Sequence, residues 1–283
     1  MAARQRLIDL AEEAGLIIAD MHTLRDTAIR AAVDAGRAIL EIYHSGDFDV
    51  TVKGDDSPLT RADIASHEVI VRHLAPLGIP VLSEEGRDMP YEERSGWSEL
   101  WIVDPIDGTK EFIKRNGEFT VNIALARDGV PVLGVIYVPV TGELYVGVEG
   151  EGARKAHCPA EQPVDPAVAM AGADILPLPK GDRPYTAVAS RSHLSPETEA
   201  FIEGLKQEHG DVATISKGSS LKLCMVAEGK ADCYPRFAPT MEWDTAAGQG
   251  ICMAAGFDVI DQDTGVTMRY NRKQLLNAWF LVR

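Results

Sequence analysis

Cysteine is scarce in this chain: its 283 residues contain four cysteines, and no two of them have a C-x-x-C spacing. A disulfide framework and a zinc ribbon both need closely spaced cysteines, so neither is indicated. Long hydrophobic runs are missing as well, and the first twenty residues lack the uncharged stretch of a signal peptide. We therefore expect a cytoplasmic protein with no integral membrane segment and with reduced thiols, mostly in its core.

Basic residues are also scarce relative to acidic ones. The chain has 28 lysines and arginines against 43 aspartates and glutamates, which gives a formal net charge of −15. A surface of this sign repels phosphate backbones, so we expect no nucleic-acid partner. A phosphorylated small molecule would therefore have to be bound by lysine or arginine residues within its own binding site. Hydrophobic residues make up 45% of the chain, which is typical of a globular protein and excludes global disorder.

Helical and strand patterns interleave along the chain. Helical spacing predicts a helix at the N-terminus and a second one over 24–43, with Thr23 as its N-cap and a stop at Gly46. Thr60 and Ser195 are expected to cap two more helices. The other expected helices cover 221–227 and 243–255, and the expected strands cover 48–52, 80–83, 100–103, 119–126, 132–138, 144–148, 186–189, 212–215, 231–234 and 278–282.

Proline, alanine and glycine are concentrated over 149–185, a composition typical of a connection between domains or of a long surface segment. We therefore expect three parts. They are an N-terminal helical addition over 1–23, an α+β domain with the acidic motifs over 24–155, and an α/β domain over 156–283 that completes the site.

An apolar strand is predicted to end in a turn that carries two aspartates, Asp104 and Asp107. Both carboxylates can face the same side of this turn. Pro105 fixes φ and has no N–H, which leaves the Ile106 carbonyl able to point at a cation. Two acids, a proline and a carbonyl at this spacing favour a functional site over an ordinary helix cap.

The next two residues, Gly108 and Thr109, are expected to open a helix. Backbone N–H groups at a helix N-terminus attract anions, so these two amides could face a phosphate. The sequence therefore places candidate ligands for a metal directly beside candidate donors for a phosphate.

Each of three further acidic residues, taken alone, has an ordinary structural explanation. Glu84 follows a short apolar strand and could lie in a solvated loop, Asp244 could be an N-cap, and Asp63 could form a capping box with Thr60. Four of these acids, Glu84, Asp104, Asp107 and Asp244, would together offer four carboxylates without a cluster of histidine or cysteine. Hard oxygen ligands suit Mg²⁺ or Mn²⁺ and not zinc, and four negative charges in one cleft need divalent ions to offset them.

These motifs resemble the inositol monophosphatase superfamily, in order and with similar spacing, from about Leu24 to the C-terminus. Within it the chain is similar to the CysQ-type 3′(2′),5′-bisphosphate nucleotidases. The superfamily match is carried by 84–85, 104–109 and 243–244, and the narrower one by 82–85, 107–125, 190–193, 218–222 and 234–237.

The resemblance implies a layered α/β/α/β/α sugar-phosphatase fold with mixed sheets. It also implies Mg²⁺-dependent removal of the 3′-phosphate from adenosine 3′,5′-bisphosphate, giving AMP and phosphate, with the sulfate donor PAPS as a second substrate and a link to sulfur metabolism. Two or three Mg²⁺ ions, replaceable by Mn²⁺, and inhibition by Li⁺ belong to the same expectation.

The resemblance also implies roles for individual residues, through the motifs that match. The implied metal ligands are Glu84, Asp104, the Ile106 carbonyl, Asp107 and Asp244. Asp104 would be shared by two ions, while Glu84 and Thr109, the latter hydrogen-bonded to Asp63, would position the attacking water. The implied substrate-binding residues are Asp107, Gly108, Thr109, Gly218, Ser219, Ser220, Lys222, Arg236 and Asp244.

Arg236 aligns with a carboxylate that binds ring hydroxyls in inositol-selective relatives, and Lys222 replaces an apolar residue. Two cations at such a place suit a second phosphate, here the 5′-phosphate. The alternative is that both form surface ion pairs. His193 is a further candidate ligand contact, with a structural role as its alternative.

Three other functions stay open at this stage. An inositol or fructose-1,6-bisphosphate phosphatase would share the fold, a haloacid dehalogenase phosphatase would use aspartates two apart, and a silent nucleotide-binding or metal-sensing protein would lack a ligand. The oligomeric state is open, with a monomer favoured over a dimer, and peripheral association with the inner membrane is also left open.

Overall fold

The computed structural model describes residues 19–52, 58–189 and 195–283. The helix expected at the N-terminus lies almost entirely outside these residues. The match over 190–193, and with it His193, also lies outside the described residues.

The helices are α1 (Met21–Ser45), α2 (Arg61–Leu74), α3 (Tyr91–Arg94), α4 (Thr109–Ile113), α5 (Pro166–Ala171), α6 (Pro196–His209), α7 (Leu221–Ala227) and α8 (Glu242–Ala254), with a 3-10 turn at Ala75–Leu77. The strands are β1 (Thr51–Val52), β2 (Pro58–Leu59), β3 (Val81–Ser83), β4 (Glu99–Asp107), β5 (Thr120–Arg127), β6 (Val130–Val138), β7 (Glu143–Val148), β8 (Gly152–His157), β9 (Asp174–Leu176), β10 (Tyr185–Val188), β11 (Val212–Ile215), β12 (Tyr234–Arg236), β13 (Val259–Asp261) and β14 (Phe280–Val282).

The central layer is a seven-stranded mixed sheet in the order β3 to β9, in which β3 and β4 are parallel and the other neighbours antiparallel. Successive side chains of a strand point to opposite faces. Trp101 and Val103 therefore join the core formed with α1 and α2, while Leu100 and Ile102 join the core formed with α7 and α8. Both faces of this sheet are covered by helices.

A second set of strands lies beyond α7 and α8. β10 and β11 are parallel, β12, β14 and β13 form an antiparallel sheet, and a bridge between Ala187 and Cys233 joins the two groups. α6 packs on the outer side through Leu205 and Phe201. The layers alternate helix, sheet, helix, sheet, helix, so the predicted α/β/α/β/α architecture is confirmed.

Close packing of α8 on the central sheet depends on two glycines. A Cβ at Gly134 in β6 would lie 2.1 Å from the Ala247 carbonyl oxygen, and one at Gly147 in β7 would lie 2.5 Å from the Cα of Ile251. No side chain fits between these backbones. The glycines thus let α8 lie directly on β6 and β7, which fixes where the helix begins and where its first residues point.

The segment over 149–185 differs from the expected irregular connection. β8 runs to His157, across the predicted boundary between 155 and 156, and β9 pairs antiparallel with it through Ala153 and Leu176. Backbone pairing with the sheet edge outweighs the composition signal of the prolines, which fall outside these two strands. The first sheet therefore extends to Leu176.

Some predicted boundaries also need correction. α1 begins at Met21 and is capped by Asp20, whose carboxylate accepts the Thr23 N–H at 2.7 Å, so Thr23 is not its N-cap. Strand structure in the second sheet begins at Tyr234 and not at residue 231. The four cysteines are buried and unpaired, as expected from their scarcity: Cys158, Cys224, Cys233 and Cys252.

Candidate active site

The last residues of β4 contain a bulge that shapes the site. Asp104 pairs with Asn122 and Asp107 with Thr120, so β4 advances three residues where β5 advances two. One extra residue in a strand shifts the alternation by one position. Asp104 and Asp107 therefore lie on the same face of the sheet, the face that α7 and α8 cover.

Four carboxylates meet at this face. Burial raises the pKa of Asp104 well above its usual range, and the negative charges of Glu84, Asp107 and Asp244 raise it further. Burial and then the charge of Asp107 raise the pKa of Asp244 to about 7, although the backbone N–H of Met241 opposes this shift. The four acids are close enough to destabilise one another's ionised forms.

A hard divalent cation fits this donor set. Asp104 Oδ1 is buried and has no hydrogen-bond partner, and a buried carboxylate oxygen needs a compensating positive charge. The surrounding groups offer only oxygen, the preferred donor of Mg²⁺. Within the described residues no three His, Cys, Asp or Glu side chains are already arranged to hold an ion, so the carboxylates share this region without closing around one point.

The turn over 105–109 is fixed from behind by α2. Ser66 donates its hydroxyl to the Pro105 carbonyl at 2.8 Å, and its side chain is fully buried. Thr109 Oγ1 lies 3.4 Å from the Ile106 carbonyl oxygen. These contacts hold the backbone that presents the Ile106 carbonyl, and the role of Ser66 could not be predicted from the sequence.

Asp63 serves two contacts with one carboxylate. Its Oδ2 accepts the Thr60 N–H at 2.8 Å and the Thr60 hydroxyl at 2.6 Å, which completes the predicted capping box. Its Oδ1 accepts the Thr109 hydroxyl at 3.1 Å. The capping interpretation and the contact implied by the resemblance therefore hold at the same time.

Asp244 reaches the site from α8. It lies two residues inside the helix and accepts the Met241 N–H at 2.8 Å, so it is not the N-cap that was the alternative to a site residue. Its position follows from the start of α8 at Glu242, which is set by the close packing of that helix on β6 and β7.

A cavity of about 660 Å³ opens beside Asp107 and Asp244. Eight of the nine residues expected to bind substrate line it, namely Asp107, Gly108, Gly218, Ser219, Ser220, Lys222, Arg236 and Asp244. Thr109 is not among the lining residues, because its hydroxyl faces Asp63. Residues from both halves of the chain thus form one cavity.

Four cationic residues line this cavity, and two of them, Lys222 and Arg236, are the ones predicted to bind a second phosphate. Burial lowers the pKa of Lys222, and the nearby charge of Arg236 lowers it further, while Asp107 and Glu111 act in the opposite direction. Arg236 Nε is buried with no hydrogen-bond partner, and one Nη donates to the Pro239 carbonyl at 3.1 Å. Neither cation forms an ion pair with a carboxylate of the described part of the chain. Two adjacent cations in a cavity favour an anion between them.

The polar residues behind the cavity were missed. Thr120 and Asn122 in β5 are buried and hydrogen-bonded to the loop over 217–220. A signal for them exists in the sequence, since polar residues alternate with Phe119 and Val121 in an otherwise apolar strand.

The sequence model of the inositol monophosphatase family matches residues 20–280. The chain belongs to the inositol monophosphatase family. Among its relatives, the 3′(2′),5′-bisphosphate nucleotidase CysQ of Salmonella typhimurium is 47% identical over 256 residues, which cover 89% of this chain and 96% of that protein. The protein of the same name from Escherichia coli strain K12 is 45% identical over 262 residues, covering 91% and 98%.

Solved structures have the same fold. CysQ from Bacteroides thetaiotaomicron superposes with a TM-score of 0.83 at 55% identity, covering 91% of this chain and 95% of that one. The suhB protein of Bartonella henselae has a TM-score of 0.69 at 24% identity and supports the fold alone, covering 92% and 93%. The resemblance read from the motifs is confirmed. No helix among the described residues has the length and apolar character to cross a membrane.

Proposed function

We propose that this protein is a 3′(2′),5′-bisphosphate nucleotidase that removes the 3′-phosphate of adenosine 3′,5′-bisphosphate and releases AMP and phosphate. The observation that carries the proposal is the combination, in one cavity, of the carboxylates Asp107 and Asp244 with the cations Lys222 and Arg236. An acidic centre suits a metal-assisted reaction at one phosphate, and the cations suit a second phosphate that does not react. Relatives bearing this activity in their names support it.

The residues that would hold Mg²⁺ are Glu84, Asp104, the Ile106 carbonyl, Asp107 and Asp244. We propose that these residues would hold two ions, with Mn²⁺ as a substitute, because a single ion would leave part of the four acidic charges uncompensated. When bound, such ions supply positive charge that makes water more acidic and stabilises the leaving oxygen.

The side chains of the protein would position the attacking water and the nucleotide and would neutralise the charge of the phosphates. Asp63 holds the Thr109 hydroxyl at 3.1 Å, and Thr109 and Glu84 would orient the attacking water. Water adds to phosphorus, the bond between phosphorus and O3′ breaks, and O3′ ends as a hydroxyl. Arg236 and Lys222 would bind the 5′-phosphate and keep the nucleotide in one orientation, since charge-assisted hydrogen bonds fix both position and charge.

PAPS is a proposed second substrate, since it carries the same 3′-phosphate and places a bulkier anion against the two cations. The cavity of about 660 Å³ falls within the range of small-molecule sites.

Phosphate release in the presence of Mg²⁺ tests the proposal. The substrates are adenosine 3′,5′-bisphosphate, PAPS, inositol 1-phosphate and fructose 1,6-bisphosphate. We expect a preference for the adenosine bisphosphate by orders of magnitude. A preference for inositol 1-phosphate or fructose 1,6-bisphosphate would overturn the assignment of Lys222 and Arg236.

A further inference from the structure

A stripe of three polar residues, Glu118, Thr120 and Asn122, occupies alternate positions that run from two residues before β5 into the strand itself. Alternate residues of a strand share one face. Phe119 and Val121, between them, join the core with α1 and α2. The polar stripe consequently faces the other way, toward the second half of the molecule.

Each residue of the polar stripe contacts one residue of the loop over 218–220. Glu118 Oε2 accepts the Gly218 N–H at 2.9 Å, Thr120 Oγ1 lies 2.6 Å from Ser219 Oγ, and the Asn122 amide donates to Ser220 Oγ at 2.8 Å. A Cβ on Gly218 would come within 2.8 Å of the Glu118 carbonyl oxygen. The loop therefore lies in register on the strand.

Ser220 also contacts two of the acidic residues of the site. Its Oγ lies 2.5 Å from Asp107 Oδ2 and 2.8 Å from the Asp244 carbonyl oxygen. Ser220 is also almost fully buried, with 2% of its surface exposed. A hydroxyl has one proton and two lone pairs. With its one proton shared between the Asp107 carboxylate and the Asp244 carbonyl oxygen, and a lone pair given to Asn122, little capacity remains for a substrate.

The direction of the hydrogen bonds follows from the donors available. The Thr120 hydroxyl donates to Asn122 Oδ1 at 2.9 Å, which turns the amide nitrogen of Asn122 toward Ser220 Oγ. Ser220 then donates to Asp107 Oδ2, and Asn122 itself lies 3.4 Å from the same oxygen. These linked hydrogen bonds hold Thr120, Asn122, Ser220 and Asp107 in one arrangement.

We propose that Asn122 and Ser220 are positioning residues for the metal site. They occupy Oδ2 of Asp107, which leaves Oδ1 for a cation, and they tie Asp107 on the first sheet to the backbone of Asp244 on α8. Ser220 thereby acts through Asp107 and not as a substrate contact. This inference rests on the metal centre of the proposed function and goes beyond it, because it assigns how residues outside the ligand set orient the ligands.

Mn²⁺ affinity measured by electron paramagnetic resonance on the full chain, without substrate, tests this inference. Removing a hydrogen-bond partner of a metal ligand typically costs about 10- to 100-fold in metal affinity. We expect a loss of this size in Asn122→Ala and in Ser220→Ala. The matched control is Glu118→Gln, which alters the same polar stripe away from Asp107 and should bind Mn²⁺ like the wild type.

The outcomes separate the inference from the proposed function. Wild-type affinity in a folded Ser220→Ala variant, with a raised KM for adenosine 3′,5′-bisphosphate, would overturn the inference and return Ser220 to the substrate site. Absence of Mn²⁺ binding by the wild type would instead overturn the metal centre of the proposed function. Should Asn122→Ala fail to fold, Ser220→Ala decides alone, since it removes a single oxygen atom.

Discussion

Asp107 combines three features of the site. It lies at the end of β4, lines the cavity, and accepts a hydrogen bond from Ser220. In the proposed function it is also a ligand of the cation. In that role its carboxylate would have to be ionised to bind the cation, while one of its two oxygens accepts the hydrogen bond from Ser220.

Asp107→Asn should leave a folded protein that has lost activity. A neutral amide is a poor ligand for Mg²⁺, so the loss should exceed the roughly 10- to 100-fold cost of losing a partner of a ligand. Thermal unfolding in EDTA is the control: the variant should unfold at the same or a higher temperature than the wild type, because one repelling charge is gone. Near-normal turnover would contradict the assignment.

The acids at the site also predict a pH dependence of stability in metal-free protein. The pKa values of Asp104 and Asp244 are raised on folding, the latter to about 7, so the folded state binds more protons than the unfolded state below that pH. The free energy of unfolding therefore falls as pH rises from about 4 to about 7.

Thermal unfolding at several pH values, with EDTA or with Mg²⁺, checks this prediction. In EDTA the protein should be less stable at pH 8 than at pH 5, and Mg²⁺ should stabilise it most at pH 8, where the carboxylates are ionised. A stability that rises over this range in EDTA would contradict the buried, mutually repelling carboxylates.

At the scale of elements, the placement of α8 decides where Asp244 lies. The helix touches β6 and β7 through backbone atoms, and this is possible only because both strands have glycine at the contact. The start of the helix, and with it one proposed ligand, depends on packing far from the cavity.

Gly134→Ala should push α8 away from the sheet. The added Cβ would meet the Ala247 carbonyl oxygen at 2.1 Å, and overpacking of this kind costs about 1–3 kcal/mol in the free energy of unfolding. We expect lower Mg²⁺ affinity as well, since Asp244 moves with the helix. Urea unfolding and a Mn²⁺ titration measure the two effects.

Gly204→Ala on α6 is the matched control. A Cβ there has open space around it, so the substitution should raise the free energy of unfolding by up to about 1 kcal/mol and leave the Mn²⁺ affinity unchanged. Equal behaviour of the two variants would show that α8 does not need its close contact with β6.

Some elements could be predicted from sequence and others could not. β11 (Val212–Ile215) and α7 (Leu221–Ala227) fall where apolar patterns placed them. β8 and β9 were hidden, because short edge strands depend on a neighbour that is distant in sequence. Asp104 and Asp107 were predicted to lie together because two acids at this spacing, with a proline between them, are typical of an oxygen-donor site, and the structure places both on one face of the sheet. Ser66, Thr120 and Asn122 were missed because their roles arise only when separate elements meet.

At the scale of the whole molecule, the cavity exists only where the two halves meet. The first sheet supplies Asp107, and the second half supplies Asp244, Lys222 and Arg236. A second tie lies at the far end of α7. There buried Glu228 binds the Tyr145 hydroxyl at 3.1 Å and Lys155 Nζ at 2.8 Å, both from the first sheet. α7 is therefore held at both ends against the sheet, which fixes Lys222 in the cavity.

Recognition of a second phosphate, proposed for Arg236 together with Lys222, would distinguish this protein from a phosphatase of sugar monophosphates. The most direct measurement compares kcat/KM for adenosine 3′,5′-bisphosphate and adenosine 3′-phosphate in the wild type and in Arg236→Gln, with Lys206→Gln on exposed α6 as the control. Charge-assisted hydrogen bonds contribute about 1.5–3 kcal/mol, so loss of the 5′-phosphate should cost the wild type and the control about 10- to 100-fold.

We expect this cost to be clearly smaller in Arg236→Gln, because one of the two cations that would bind the 5′-phosphate is gone. The same cost in Arg236→Gln as in the wild type would contradict it.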